Sequence, residues 1–167
     1  MADTATDGSD RYKHKRNLGV SETRFDGTKY NPETDRQAYA AEEFAAGIFG
    51  QKANDKLLRG GDGGTDFKLC GRRVEVYHLG IGKDGRPRTS GHLIMNPKEP
   101  QRFAGLYLVV RGSIEEGFEI AGWASHAALT REPVQDFGYG DRYALPVGKL
   151  LPLLSLLEKV HESESKA

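Results

Sequence analysis

Three carboxylates stand in an order that suits metal-assisted chemistry: Glu43, Asp66 and Glu75. They fall on three neighbouring elements, so a fold can bring them to one point. Convergent carboxylates repel one another and need a cation between them. Hard oxygen donors with open positions favour Mg²⁺ or Mn²⁺. Such an ion lowers the pKa of a bound water and stabilises charge on a phosphoryl oxygen. Around these acids lie Lys68, Arg72, Arg73, Lys83, Arg86 and Arg88. His92 follows the last of these closely and is a candidate general base near the site. Asp62 sits in Gly-Asp-Gly-Gly, a context that reads as a turn rather than a ligand.

The elements that must position these side chains can be read locally. Asn31-Pro32-Glu33 marks a helix start, with an Asx cap, Pro at the first helical position and an acid in the first turn. The spacing predicts a helix to about Asn54 with an apolar stripe of Ala38, Ala41, Ala45, Ile48 and Phe49. Glu43 lies beside that stripe among small residues that permit close approach. Residues 66–79 read as a β-hairpin turning at Gly71-Arg72. That register opposes Cys70 to Arg73, Lys68 to Glu75 and Asp66 to Tyr77. Phe67, Leu69, Val74 and Val76 then share an apolar face, which His78 joins as a buried, hydrogen-bonded residue. Asp66, Lys68, Arg73, Glu75 and Tyr77 share the other face. The segment 82–88 is a basic, glycine-rich loop. His92–Asn96, Leu106–Arg111 and Phe118–Trp123 read as strands, and Ser125 as the cap of a short helix to Leu129. Leu150, Leu153, Leu154, Leu157 and Val160 repeat at helical spacing, and Leu151 and Leu156 widen the stripe. Core burial explains that stripe first, and a homodimer contact second.

Composition bounds the reading. The chain has 167 residues, 24 of them Lys or Arg and 24 Asp or Glu, so its formal net charge is +0. A broadly basic protein is excluded. The charge is unevenly placed, however: residues 66–103 hold eight basic and four acidic side chains. The single cysteine, Cys70, excludes an intramolecular disulfide and a zinc site built from several cysteines. No apolar run suits a membrane span, the opening MADTATDGSD has no apolar signal core, and a cytoplasmic setting is the expectation. Residues 1–30 are expected to form a disordered or extended arm, 31–161 a single domain and 162–167 a tail. Within the arm, 11–16 pack four Lys or Arg into six positions.

Gly60-Gly61-Asp62-Gly63-Gly64-Thr65-Asp66-Phe67, followed by Val74-Glu75-Val76, resembles the PD-(D/E)xK nuclease superfamily. Within it the chain is similar to small proteins found in tailed phages and bacteria. The likeness spans roughly residues 35–150. It implies an α/β fold, a restriction-endonuclease-like αβββαβ core with a mixed central sheet flanked by helices. By position Asp66 would be the strand aspartate, Glu75 the first member of (D/E)-x-K and Glu43 the helix glutamate, together holding Mg²⁺ or Mn²⁺. Arg72, Arg73, Lys83, Arg86 and Arg88 would contact DNA phosphates.

Three positions depart from the pattern. Thr65 replaces a frequent proline, and Gly105 stands where relatives often carry an aspartate. Tyr77 occupies the lysine position, and a phenol with an ordinary pKa near ~10 supplies no ammonium. Two expectations follow. Lys68 substitutes for the missing lysine in a metal-dependent nuclease, or the site is inactive and the domain binds nucleic acid or a host or viral protein.

Overall fold

A computed structural model describes residues 32–53 and 65–166. The N-terminal arm, Asn54 and the glycine cluster with Asp62 lie outside the described residues. The chain enters helix α1 (Pro32–Ile48) with Glu33 and Asp35 in the first turn, where the helix dipole favours acids. The helix stops short of the expected Asn54. Gly50 adopts a φ of 67°, Gln51 N–H donates to Ala46 O at 3.0 Å and Gly50 N–H to Gly47 O at 3.1 Å. That is a Schellman ending, which a residue without Cβ makes at little cost. Ala41, Ala45 and Ala46 enter the core, with Phe44 and Phe49 packed beside them. Ile48 is exposed, contrary to the expected stripe. The buried face is rotated toward Asp35 and Glu42, two turns apart and both buried.

The hairpin forms from β1 (Phe67–Leu69) and β2 (Arg72–His78), but it turns one residue earlier than the sequence reading placed it. Cys70 and Gly71 take positive φ values of 49° and 76°, as a type I′ turn requires of both central residues. Lys68 therefore opposes Arg73 rather than Glu75, and Phe67 opposes Val74. The partner shift is two residues, an even number, so each side chain keeps its expected face.

β4 (Leu106–Ser113) runs parallel to β2, and β5 (Gly117–Ser125) runs antiparallel to β4. The result is a mixed four-stranded sheet in the order β1-β2-β4-β5. Its first face carries Phe67, Val74, Val76, Leu106 and Leu108 against α1 and against Leu156 of α3 (Leu153–Ser165). Its second face carries Tyr107, Val109 and Ala124. A second, antiparallel sheet covers that side, in the order β3-β7-β6 (His92–Met95, Asp141–Pro146, Val134–Asp136). Leu93, Met95 and Leu145 face inward from it, and Leu129 of α2 (His126–Arg131) closes the layer. Ser125 caps α2 as expected, its Oγ accepting Ala128 N–H at 3.1 Å. The fold is thus α/β with a mixed sheet and helices, but a second sheet stands where helices alone were expected to flank the first.

The closing leucines divide differently from a simple core stripe. Leu156 is buried, whereas Leu151, Leu154 and Leu157 are exposed, Leu154 by 65%. Leu151 instead extends the main sheet, exchanging two backbone hydrogen bonds of 2.9 Å with Trp123. Among the described residues no helix is long and apolar enough to cross a membrane.

Candidate functional site

Asp66 precedes β1 and is 1% exposed. Its N–H donates to Val74 O at 2.9 Å, although Val74 already faces Phe67. Two residues opposite one is the arrangement of a β-bulge, which re-aims the side chain. The Asp66 carboxylate then accepts Val76 N–H through Oδ2 at 2.6 Å. It continues the ladder where the backbone of β1 has left it. Its bonds to Val74 and Val76 straddle Glu75, so the two acids of the motif are neighbours in the hairpin. Both Asp66 Oδ1 and Glu75 Oε2 are sealed from solvent.

Glu75 lies opposite Tyr107 on the parallel neighbour β4. Tyr107 is fully buried, and its hydroxyl accepts Ala104 N–H at 3.2 Å. The same hydroxyl is hydrogen-bonded to His126 Nδ1, 2.9 Å away. Burial pushes the Tyr107 pKa up, and the charge of Glu75 adds to the rise. Phe103 packs on the His126 ring at 4.8 Å between centroids. Arg73 is held as a tie: its Nε donates to Thr65 Oγ1 at 2.6 Å and its Nη2 to Gln101 O at 3.1 Å.

The third expected acid does not join this pair. Glu43 is half-buried on α1, while Glu42 and Asp35 are the acids that the helix buries. Among the described residues no three His, Cys, Asp or Glu side chains form a group able to hold a metal ion. Asp66 Oδ2 is committed to a backbone N–H, and Mg²⁺ demands near-octahedral oxygen donors with room for several waters. As placed, the described carboxylates do not fit the three-acid cradle that the resemblance implies. Lys68 is exposed and directly opposite another cation, Arg73.

The five expected phosphate contacts are not one patch. Arg72 begins β2, and Lys83, Arg86 and Arg88 follow its other end. Six steps along a strand separate Arg72 from His78, roughly 20 Å at ~3.3 Å each. The loop after β2 is itself folded: Gly82 N–H donates to Arg86 O at 2.8 Å and Arg88 N–H to Gly80 O at 3.1 Å. Lys83, Arg86 and Arg88 remain exposed on it.

This loop borders a cleft of about 1210 Å³ whose lining includes Tyr77, Ile94, Arg88, Tyr139, Glu33 and Glu115. The motif's third position thus belongs to the cleft. Glu33 and Glu115 share Arg36, at 2.7 and 2.9 Å, and both accept from Gln37 Nε2 at 2.9 Å. Arg36 holds both carboxyls below the usual carboxylate range together with Gln37; the main cause at Glu33 is Arg36 and at Glu115 is Gln37. His78 donates through Nε2 to Gly112 O at 2.8 Å, the hydrogen-bonded role expected of it. His92 lies against Phe137, 5.3 Å between centroids, rather than beside the acids.

Sequence reasoning missed the Tyr107–His126 pair and the aromatic turn Phe137-Gly138-Tyr139-Gly140. The first has no local signal, because the two residues meet only through strand pairing. The second carries one: aromatics alternating with glycines. Comparison of the chain with protein-family models, with curated proteins and with solved structures gave no match.

Proposed function

We propose that this domain is a nucleic-acid-binding member of the nuclease-like class that works by contact rather than by cleavage. The observation carrying the reading is Asp66, 1% exposed and with Oδ2 engaged by Val76 N–H. A metal-holding aspartate must face an ion, its waters and a substrate; this one faces its own strand. Tyr77 in the lysine position agrees with that reading. The restriction-endonuclease-like core belongs to the same proposal. The order α1, hairpin, then β4 parallel to β2 is compatible with it, and the β3-β7-β6 sheet is an addition.

A second reading, a Mg²⁺- or Mn²⁺-dependent DNA nuclease, is favoured by one observation. The bonds of Asp66 straddle Glu75, so the hairpin makes the two motif acids neighbours. One experiment decides between them. Labelled plasmid, duplex and single-stranded DNA are incubated with the full chain in Mg²⁺, Mn²⁺ or EDTA, and binding is followed in parallel. Binding without metal-dependent cleavage supports the proposal. Metal-dependent cleavage that Glu75→Ala abolishes overturns it in favour of the nuclease. Absence of binding to every DNA overturns both.

A further inference from the structure

The cleft beside the 80–91 loop is acidic, and its acids come from two elements. Glu33 stands in the first turn of α1, and Glu115 and Glu116 in the turn between β4 and β5. Among the described residues of the lining, Arg88 is the one cation. Arg36 reaches Glu33 at 2.7 Å and Glu115 at 2.9 Å, which ties the two elements together. Arg36 and Arg88 offset two of the three carboxylates, so the cleft keeps a net negative charge. Glu116 gives its N–H to Ser113 Oγ at 3.0 Å, and among the described residues no cation stands against its carboxylate.

The lining also has an apolar part. Leu79, Ile81, Pro87 and Ile94 belong to it, and Ile81 is 37% exposed. Acids beside exposed apolar surface suit Lys and Arg, whose alkyl stems cover the apolar part while their charged ends reach the carboxylates. The volume of about 1210 Å³ exceeds the ~300–1,000 Å³ typical of small-molecule pockets and suits a segment of chain.

The chain carries a segment of that chemistry close by. Residues 11–16, Arg-Tyr-Lys-His-Lys-Arg, hold four Lys or Arg and no acid, and they lie outside the described residues. The arm that bears them joins the fold at Pro32, and Glu33, Thr34 and Gln37 just beyond it line the cleft. Fifteen residues, 17–31, separate the basic run from that junction. At ~3.3–3.6 Å each they span up to about 50 Å, enough to reach any part of the lining. A short tether makes the encounter intramolecular, at an effective concentration on the order of mM. Arg88 and the exposed Lys83 and Arg86 on the same loop repel a basic run, which directs it to the side formed by α1 and the β4–β5 turn.

We propose that residues 11–16 dock in this cleft within the same chain, their cations against Glu116, Glu115 and Glu33 and their alkyl stems over Ile81 and Ile94. The docking does not rest on the nucleic-acid reading above.

The test is paramagnetic broadening in the full chain. Cys70→Ser removes the single native thiol, and Asn17→Cys carries a nitroxide beside the basic run. In a ¹⁵N-labelled sample, the amide signals of Ile81, Glu115 and Glu116 are expected to lose most of their intensity. Those of Arg72 and Gln101, at the other end of β2, are expected to keep most of theirs. At 1 M salt, where the screening length falls to about 3 Å, the broadening is expected to vanish. Glu115→Gln with Glu116→Gln is expected to remove most of it, as is Lys13→Gln with Lys15→Gln. If the first pair fails to fold, the second decides alone. Uniform weak broadening across the chain, or broadening at the cleft that survives the charge variants, overturns the proposal. A spin-labelled chain mixed with an unlabelled-thiol ¹⁵N chain tests for a second copy as the source. Broadening in that mixture equal to that within one chain assigns the docked run to the second copy and overturns docking within the chain.

Discussion

Asp66 separates a structural from a catalytic reading of the hairpin, because the two demand different things of its carboxylate. The structure assigns Oδ2 to Val76 N–H at 2.6 Å, in a position 1% exposed. Asp66→Ala removes the acceptor and leaves that buried N–H without it. A buried donor so orphaned costs about 1–3 kcal/mol, and the tightness of the site places the loss near ~2–3 kcal/mol. For a domain of this size each kcal/mol moves the melting temperature by roughly 2–4 °C, so a fall of about 5–10 °C is expected. Asp66→Asn offers an amide oxygen of the same shape to the same N–H. It should stay within about 1 kcal/mol of wild type, provided the amide group orients its oxygen toward Val76. Thermal unfolding followed by circular dichroism measures both. Melting of Asp66→Ala at the wild-type temperature, or equal losses for Ala and Asn, would refute the structural role. The outcome also governs activity assays: a large loss in Asp66→Ala makes any missing function a folding effect, and Asp66→Asn becomes the informative variant.

Two further perturbations follow from geometry away from the hairpin. Burial pushes the His78 pKa below the ordinary histidine value, while its bond to Gly112 O opposes the shift. The unfolded chain therefore binds a proton where the folded chain does not, so stability is full above about pH 6.5 and falls as the pH drops below it. Melting temperatures at pH 7.5 and 5.5 should differ more for wild type than for His78→Gln, which keeps a donor for Gly112 O; equal differences would remove this assignment. At Gly122, an added Cβ would lie 2.6 Å from Leu150 Cβ and 2.7 Å from Leu151 O. Gly122→Ala must push away the segment that pairs with Trp123, at about 1–3 kcal/mol, and urea unfolding with hydrogen exchange at Leu151 should show both the loss and its location. Unchanged exchange at Leu151 would contradict the close approach.

The hairpin was legible in the sequence because period-two alternation survives an error in the turn. Placing the turn at Gly71-Arg72 instead of Cys70-Gly71 changed every partner but no face, since the shift was even. Partner identity is where the chemistry lay, and the move took Lys68 from Glu75 to Arg73. The reading assumed glycine at the first turn position; the structure admits Cys70 there with a φ of 49°. On α1 the error was one of rotation. Alanine is a helix former on any face, so an alanine-rich stripe does not mark the buried side sharply. Asp35 and Glu42, which are buried, read as surface residues to any hydrophobicity argument. Of the second sheet only β3 was legible as a strand; β6 and β7, of three and six residues, have no long alternation to announce them, and nothing local says that the three pair with one another.

The uneven charge of residues 66–103 has a different meaning in space from its meaning along the chain. Eight cations and four acids within 38 positions read as one basic surface. Strand β2 runs through that stretch and sets the cations at its start roughly 20 Å from those on the loop after its end. At one end Arg73 is spent on Thr65 and Gln101, and Lys68 and Arg72 remain as exposed cations with no described aromatic partner. At the other end Lys83, Arg86 and Arg88 stand exposed on the loop after β2, and of the three Arg88 lines the cleft together with Tyr77 and Tyr139. The basic excess read along the chain is therefore two separate groups of cations in space, one at each end of β2.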